Sequence, residues 1–178
     1  TWRDANNIGM DCVFDARNRD VRCTDTAGAV TIKAYDENNN LVATTDALSK
    51  VESSVFDQRD RKTSTTDRVP ATTAFTYDAV SNLLSITDAE GGITLYRYDA
   101  RNLLDREVFP SGQTRRTARY YGYDPGRRLI NRTVVGVSIA SAPPATPPTP
   151  NEVTTYSYDN ANRLTTRGYA DSLNDSFG

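Results

Sequence analysis

The sequence predicts an all-β protein, an antiparallel array of β-hairpin repeats that coils into a curved or spiral sheet. Three observations carry this prediction: a repeat of 21 residues, two turn signals in each repeat, and side chains that alternate between the turns. The composition agrees with it. Asp outnumbers Glu 18 to 5, and Asn and Thr are frequent, which favours turns and strands over helices.

The repeat is marked by an aromatic residue directly followed by aspartate. This pair occurs seven times; the first five aspartates are 21 residues apart, and the last two gaps are 25 and 35 residues. Four equal gaps are not a product of composition, so about seven repeats are expected. The residues of these pairs are Phe14, Asp15, Tyr35, Asp36, Phe56, Asp57, Tyr77, Asp78, Tyr98, Asp99, Tyr123, Asp124, Tyr158 and Asp159.

Each repeat carries turn signals at fixed places. Three residues after the aspartate stands Asn, Asp or Ser in most repeats, and in the sixth repeat Gly126 takes this role one place earlier. Aspartate at the first turn position, with a residue tolerant of positive φ at the fourth, is typical of a three-residue hairpin loop. Turns are therefore predicted at residues 15–18, 36–39, 57–60, 78–81, 99–102, 124–127 and 159–162. A further aspartate ten residues after each of the first four predicts second turns at Asp25, Asp46, Asp67 and Asp88.

The segments between the turns alternate with period two. In residues 156–158 (Tyr-Ser-Tyr), and likewise at 96–98, two rings flank a polar residue, which places both rings on one face of a strand. A leucine five residues after most of the aspartates is expected to pair with the aromatic residue across the hairpin. We expect these rings to be buried, so that Tyr77→Ala or Tyr98→Ala costs about 3 kcal/mol or more.

The residue types argue against catalysis and metal binding. The chain has no histidine, which removes the commonest general base, the Ser/His/Asp and Cys/His triads and the commonest transition-metal ligand. Most carboxylates stand at turn positions, where the side chain accepts hydrogen bonds from backbone N–H groups. No catalytic, cofactor-binding or metal-ligating residue is therefore predicted, and the protein is expected not to be an enzyme.

Charge and hydropathy limit the partners. The net charge of -2 gives no reason to expect nucleic acid, and no apolar run approaches the roughly 18 residues of a membrane span. The chain begins at Thr1 without an initiator Met, so we expect it to be processed or cut from a longer polypeptide.

The repeat resembles the YD repeat of the RHS family. The resemblance rests on residues 75–91, Phe-Thr-Tyr-Asp through Thr-Asp-x-x-Gly, and on residues 156–164, Tyr-Ser-Tyr-Asp-Asn-Ala-Asn-Arg-Leu, and it extends over roughly residues 12–169. The family includes bacterial RHS proteins, the C components of Tc toxins, wall-associated proteins and animal teneurins. The resemblance implies a spiralling β-sheet shell, which in the toxins encloses a cargo polypeptide, and it implies that this chain is part of such a shell.

Three segments are expected along the chain: a YD-repeat hairpin array over residues 1–135, a Pro/Thr-rich inserted loop or linker over 136–151, and the last repeat with the start of a further strand over 152–178. The middle segment holds five of the eight prolines, which cannot donate ladder hydrogen bonds. It is either a plain solvent-exposed insertion or a stretch that bears O-glycans. The candidate glycosylation sites are Thr146 and Thr149 there, and Asn131 and Asn174 by the N-glycosylation pattern.

The two cysteines flank the first predicted turn at nearly equal distances. Cys12 and Cys23 either face one another across the two strands and form a disulfide, or stay apart. One residue of strand register decides between these alternatives.

Two classes of non-enzymatic function follow. The leading hypothesis is a structural module, either the wall of an RHS-type shell or a building block of an extracellular assembly such as a filament. The alternative is a carbohydrate-binding or adhesive surface module, in which tyrosine rings stack on sugars. The expected partners are further repeats of a longer chain, or identical copies through exposed strand edges, together with an enclosed cargo polypeptide or glycans. The expected location is secreted or at the cell surface.

Overall fold

The computed structural model describes residues 2–3, 9–111, 115–138 and 152–171, and every regular element in these ranges is a β-strand. The strands are β1 (Trp2–Arg3), β2 (Gly9–Phe14), β3 (Asp20–Asp25), β4 (Val30–Tyr35), β5 (Leu41–Thr45), β6 (Val51–Phe56), β7 (Lys62–Thr66), β8 (Thr72–Tyr77), β9 (Leu83–Thr87), β10 (Ile93–Tyr98), β11 (Leu104–Ser111), β12 (Arg115–Tyr123), β13 (Leu129–Ser138), β14 (Glu152–Tyr158) and β15 (Leu164–Asp171). No helix in the described ranges is long and apolar enough to cross a membrane.

The strands form two compact units, one of Thr1–Thr76 with Asp88–Glu90 and one of Tyr77–Thr87 with Gly91–Gly178. In the first unit β1 to β8 lie side by side in chain order, and each strand is antiparallel to the next. In the second unit β9 to β15 do the same. The prediction of an all-β, antiparallel hairpin array is confirmed. The segment boundaries at residues 135 and 151 stay a prediction, and residues 139–151 lie outside the described ranges.

All seven predicted aspartate turns are present. In each, the N–H of the residue three places after the aspartate donates to the aspartate carbonyl oxygen, at 3.0–3.3 Å, and that residue has a φ between 58° and 74°. Where the next strand begins, the aromatic residue before the aspartate pairs with the residue five places after the aspartate. The register shifts by one residue at this pair. The partner is Leu in four of these hairpins, as expected: Tyr35 with Leu41, Tyr98 with Leu104, Tyr123 with Leu129 and Tyr158 with Leu164.

The left-handed residue of the sixth turn is not the glycine. Arg127 has a φ of 66°, whereas Gly126 does not have a positive φ, so the expectation for Gly126 is wrong. Asp124 fixes the turn by accepting the Arg128 N–H on Oδ1 and by donating its own N–H to the Arg128 carbonyl oxygen. The fourth position therefore follows from the count that begins at the aspartate and not from the position of the glycine.

Arg127→Asn is expected to stabilise the protein by about 0.5 kcal/mol. An ordinary side chain in the left-handed region costs about 1 kcal/mol, and Asn lowers this cost. Part of the gain is offset because the Arg127 Nη2 donates to the Arg101 carbonyl oxygen at 2.9 Å. Arg127→Ala is the matched control, since it loses this bond and keeps the strain. Urea denaturation compares the two variants, and an Asn variant no more stable than the Ala variant would contradict the prediction.

The core is thin and lies mainly in the second unit. Val108, Ala118 and Val135 are paired across β11, β12 and β13 and are 2%, 0% and 1% exposed. Tyr120 joins this cluster at 5%. Cys23 is the one hydrophobic side chain of the described part of the first unit that reaches the same degree of burial. Apolar burial alone therefore accounts for little of the stability of the first unit.

The rings beside the aspartates are less buried than expected. Tyr77 and Tyr98 are half-buried, and Phe14 is 54% exposed. A sheet one layer thick leaves each ring covered only by its neighbours along the same face. The cost expected for Tyr77→Ala and Tyr98→Ala as fully buried aromatics is therefore too large.

Candidate functional site

The aspartate of each turn is held by the backbone that follows it. Counting the aspartate as position 1, its Oδ1 accepts the N–H groups of positions 3 and 5; for Asp57 these come from Arg59 at 2.9 Å and Arg61 at 3.1 Å. The other carboxylate oxygen accepts the side chain of position 5, here the Arg61 Nε at 2.7 Å. One short side chain thus satisfies two backbone donors and fixes a third group, which is why aspartate suits position 1.

These contacts lower the pKa values of the turn aspartates. At Asp57 the hydrogen bond from the Arg61 side chain is the main cause, and the pKa falls from 3.8 to about 2. At Asp15 and Asp36 the position-5 side chain is again the main cause of a lowered pKa. For the last three turns of the chain the main cause is the backbone N–H of position 5, and the lowered pKa values are those of Asp99, Asp124 and Asp159.

The protein should therefore lose stability in acid. A carboxyl whose pKa is lower in the folded state than in the unfolded state stabilises the fold above its unfolded pKa. That contribution disappears as the pH falls through the folded pKa, which for Asp57 means a window from 3.8 down to about 2. We expect a Tm that is steady from about pH 7 to 5 and falls steeply below about pH 4.

Calorimetry across this pH range measures the effect, with Asp57→Asn as the comparison. The amide oxygen of that variant still accepts the backbone N–H groups but does not titrate. Between pH 4 and 2 the Tm of this variant should depend less on pH than that of the wild type, because the variant has about one titrating carboxyl fewer. A wild-type Tm that does not change between pH 5 and 2 would show that the turn contacts do not form in solution.

The position-5 side chain of one turn also reaches the next turn of the array. Arg19 donates from Nη1 to the Asp36 carbonyl oxygen at 3.1 Å and to Asn39 Oδ1 at 3.0 Å. The acceptor Asn39 stands at position 4 of its own turn. We call the whole row of such contacts the turn ladder; its described members are Arg19 to Asn39, Asn40 to Asp60 (2.7 Å), Asn82 to Asn102 (3.2 Å) and Arg128 to Asn162 (2.9 Å).

The fifth turn is joined to the sixth in another way. Leu103 stands at position 5 there and has no polar side-chain group. Arg101, at position 3, donates instead to Asp99 Oδ2 at 3.0 Å and to the Asp124 carbonyl oxygen at 2.9 Å. Arg127 donates back to the Arg101 carbonyl oxygen. The fifth and sixth turns are thus linked by charged hydrogen bonds although the usual donor is missing.

The tyrosine hydroxyls form a second row of contacts that the sequence analysis missed. Tyr158 donates to the Leu129 carbonyl oxygen at 3.0 Å, and Tyr123 donates to the Leu104 carbonyl oxygen at 2.9 Å. The acceptor is always position 6 of the preceding turn, and Tyr35 reaches the Asp20 carbonyl oxygen in the same way at 3.3 Å. The signal was present in the sequence, because Tyr is more frequent than Phe in the residue before the aspartate.

Arginines of the turn ladder cover tyrosine rings. The Arg19 guanidinium lies 4.7 Å from the centre of the Tyr35 ring, and that of Arg128 lies 5.1 Å from the centre of the Tyr158 ring. A sugar that stacked on these faces would have to displace the guanidinium first.

Cys12 and Cys23 lie directly opposite each other in β2 and β3, with their Cα atoms 4.1 Å apart, and are joined by a disulfide. Asp20 Oδ2 lies 3.6 Å from the Cys23 sulfur and 2.6 Å from the Lys33 Nζ. The Lys33 hydrogen bond lowers the pKa of Asp20, and Asp20 raises the pKa of Lys33. Tyr35 also donates to Asp20 Oδ1, at 3.0 Å.

This arrangement does not make a ready metal site. The potential ligand atoms of Cys12, Asp20 and Cys23 lie within 4.8 Å of one another. Cysteine binds a metal as the thiolate, however, and both sulfurs are joined in the disulfide. The Asp20 carboxylate is already paired with Lys33. The group closes the first hairpin rather than presenting free ligands.

The candidate glycosylation sites stay a prediction. Asn174, Thr146 and Thr149 lie outside the described residues. Asn131 is half-buried near the start of β13, where it is paired with both β12 and β14. Its amide lies over Gly122, where an added Cβ would be 2.5 Å from the Asn131 Oδ1. Acceptor asparagines are usually in surface loops, so this position is an unfavourable one.

Comparison with known proteins gives a family and a fold. Residues 77–114 match the family model described as RHS Repeat. No curated protein sequence matches the chain. Among solved structures, the chain resembles the crystal structure of TcdB2-TccC3, with 19% identity, a TM-score of 0.72 and 93% of this chain covered. It also resembles the Tc holotoxin pore of Photorhabdus luminescens, with 15% identity, a TM-score of 0.68 and 92% of this chain covered.

The match takes in only a small part of those proteins, because this chain spans 9% of the length of each of the two matched chains. At 15% and 19% sequence identity, the comparison shows that the fold is shared and nothing more. The aspartate turns recur in register from Asp15 to Asp159, and the matched stretch contains two of them. Residues 77–114 are thus similar to the RHS repeat, and the chain as a whole shares the fold of the two solved structures.

Proposed function

We propose that this chain is a non-catalytic section of the wall of an RHS-type shell. The observation that carries the proposal is the turn ladder, whose described members join successive turns by side-chain hydrogen bonds. A wall one sheet thick has little core, and hydrogen bonds to charged groups stabilise more than neutral ones do. The thin core described above makes such links the main supplement to the backbone ladder.

The names of the two solved structures that share this fold support a role in assembly. One solved structure is named as a Tc holotoxin pore with a mutation in TccC3, and the other is named TcdB2-TccC3. We infer that this chain works with further repeats, and that an enclosed polypeptide is its cargo. The disulfide supports a secreted or cell-surface location, since such bonds persist in oxidising compartments.

The same geometry favours a wall over the two other classes of function. The turn aspartates, which would be the acids of an enzyme, are occupied by backbone N–H groups and arginines. Their lowered pKa values make them poor general acids near neutral pH. The rings of Tyr35 and Tyr158 carry arginines on the faces that a sugar would need. We therefore expect no turnover and no stacking of sugars on these rings.

Electron microscopy of the protein isolated from its source tests the proposal. A hollow closed particle with a wall one sheet thick is the expected result. Filaments, or dispersed particles without an interior, would contradict it. Acid treatment at about pH 2 is a useful control, because the wall should open as the turn aspartates are protonated.

A further inference from the structure

The first hairpin differs from the other six at position 6 of its turn. That position holds Asp20 in the first hairpin and Lys62 in the third, whereas the remaining five hairpins have leucine there: Leu41, Leu83, Leu104, Leu129 and Leu164. The first hairpin also carries both cysteines of the chain, Cys12 and Cys23. A carboxylate therefore replaces the usual apolar side chain in the one hairpin that has two sulfurs.

Strand register brings the carboxylate and the two sulfurs to one face. Cys12 and Cys23 are direct partners in β2 and β3, and the register shift after Val13 places Asp20 opposite Phe14. Asp20 Oδ2 consequently lies 3.6 Å from the Cys23 sulfur, and the potential ligand atoms of the three residues lie within 4.8 Å of one another. Cys23 is 6% exposed and Cys12 is half-buried. Because the register of the sheet sets these positions, the three groups stay neighbours when the S–S bond is opened.

We propose that reduction of the disulfide turns Cys12, Cys23 and Asp20 into a binding site for Zn²⁺. A dithiol reductant breaks the S–S bond by supplying two electrons and two protons, and is itself oxidised to a disulfide. The cation then replaces the two thiol protons, which pass to solvent. Two thiolates and one carboxylate are ligands that Zn²⁺ accepts, and a water molecule completes four-coordination. The site is independent of the proposed role in a shell wall.

The groups around Asp20 suit a carboxylate ligand. Tyr35 donates to Asp20 Oδ1 at 3.0 Å, and hydrogen bonds of this kind orient the ligands of a metal. The other oxygen, Oδ2, is the one beside the Cys23 sulfur, and it accepts from Lys33 Nζ at 2.6 Å. The Lys33 side chain is 32% exposed, so the ammonium group can turn to solvent when a cation takes its place. Lys33 is therefore a competitor of the metal for one oxygen.

Titration with Co²⁺ tests the site, because Co²⁺ substitutes for Zn²⁺ and its bonds to thiolates give a charge-transfer absorption band. The full chain is reduced with a dithiol on a resin, and the resin is removed without admitting oxygen. We expect the reduced chain to bind one Co²⁺ with this band and the oxidised chain to show no band. Zn²⁺ should displace Co²⁺ and abolish the band. It should also restore the amide protection that reduction removes from β2 and β3.

Asp20→Leu is the decisive variant, since it introduces the residue of five other hairpins and keeps both thiols. It should weaken Co²⁺ binding at least about tenfold, and Tyr35→Phe should weaken it about tenfold through loss of the orienting hydrogen bond. Lys33→Gln should tighten binding because it removes the competitor. The matched control is Asp11→Asn, which removes an exposed carboxylate next to Cys12 on the other face of β2 and should leave the affinity unchanged.

Three results would each overturn the site. They are the absence of a cobalt–thiolate band in the reduced wild type, an affinity that Asp20→Leu does not change, and an equal loss of affinity in Asp11→Asn. The second result would mean that Asp20 serves only as the ion-pair partner of Lys33. None of these measurements depends on the form of the native assembly, so failure of the metal site leaves the proposed wall untouched.

Discussion

Tyr120→Ala is expected to lower the free energy of unfolding by about 3–5 kcal/mol. The Tyr120 ring is 5% exposed and belongs to the one cluster of buried hydrophobic residues among the described residues, with Val108, Ala118 and Val135. Removal of the ring loses the transfer free energy of a large apolar group and leaves a cavity that a sheet cannot easily close. In a chain of this length the Tm should fall by about 10 °C.

Denaturation in guanidinium chloride compares the stability of Tyr120→Ala with that of Tyr169→Ala. Tyr169 is a tyrosine of the same unit that is 63% exposed, so its removal should change stability by less than about 0.5 kcal/mol. Equal effects at the two positions would mean that Tyr120 is not buried in solution. A second buried position, Val135→Ala, should also destabilise, by about 1–3 kcal/mol.

Loss of the disulfide is the second large expected effect. The double variant Cys12→Ala, Cys23→Ala should destabilise the first hairpin by about 3 kcal/mol, because the bond closes a loop of 11 residues in the unfolded chain. Few of the described side chains of the first unit are buried, so hydrophobic burial there does little to compensate for loss of the disulfide. The effect should be local and should appear first as faster amide exchange in β2 and β3.

Reduction of the wild-type protein is the control that involves no substitution. It should accelerate exchange in the same two strands, and the strands of the second unit should keep their protection. Unchanged exchange in β2 and β3 after complete reduction would contradict a stabilising role for the bond. Faster exchange throughout the chain would show instead that the first hairpin and the rest unfold together.

The spacing of the aspartates was sufficient to locate all seven turns. This succeeded because the turn is a local structure, which depends on an aspartate and on the four residues that follow it. Where local sequence was ambiguous, as at Gly126 and Arg127, the hydrogen bonds of Asp124 decided the conformation. The period of two between the turns likewise predicted which residues share a face of a strand, and the pairing of Tyr98 with Leu104 confirms it.

Degrees of burial were harder to predict. The repeated rings of Tyr77 and Tyr98 looked like the core, yet they are half-buried, and the buried cluster is formed by Val108, Ala118 and Val135. Burial depends on what lies over a face, and alternation along a strand shows only that two residues share a face.

The sequence by itself determined the fold class, the number of hairpins and the place of each aspartate turn, because these follow from contacts within a few residues. Only the tertiary structure revealed the turn ladder and the tyrosine hydroxyl contacts. Those contacts join residues 15 to 34 positions apart, as from Tyr35 to Asp20 and from Arg128 to Asn162. They exist only once strand register has brought successive turns to one edge, and no local pattern specifies which donor then meets which acceptor.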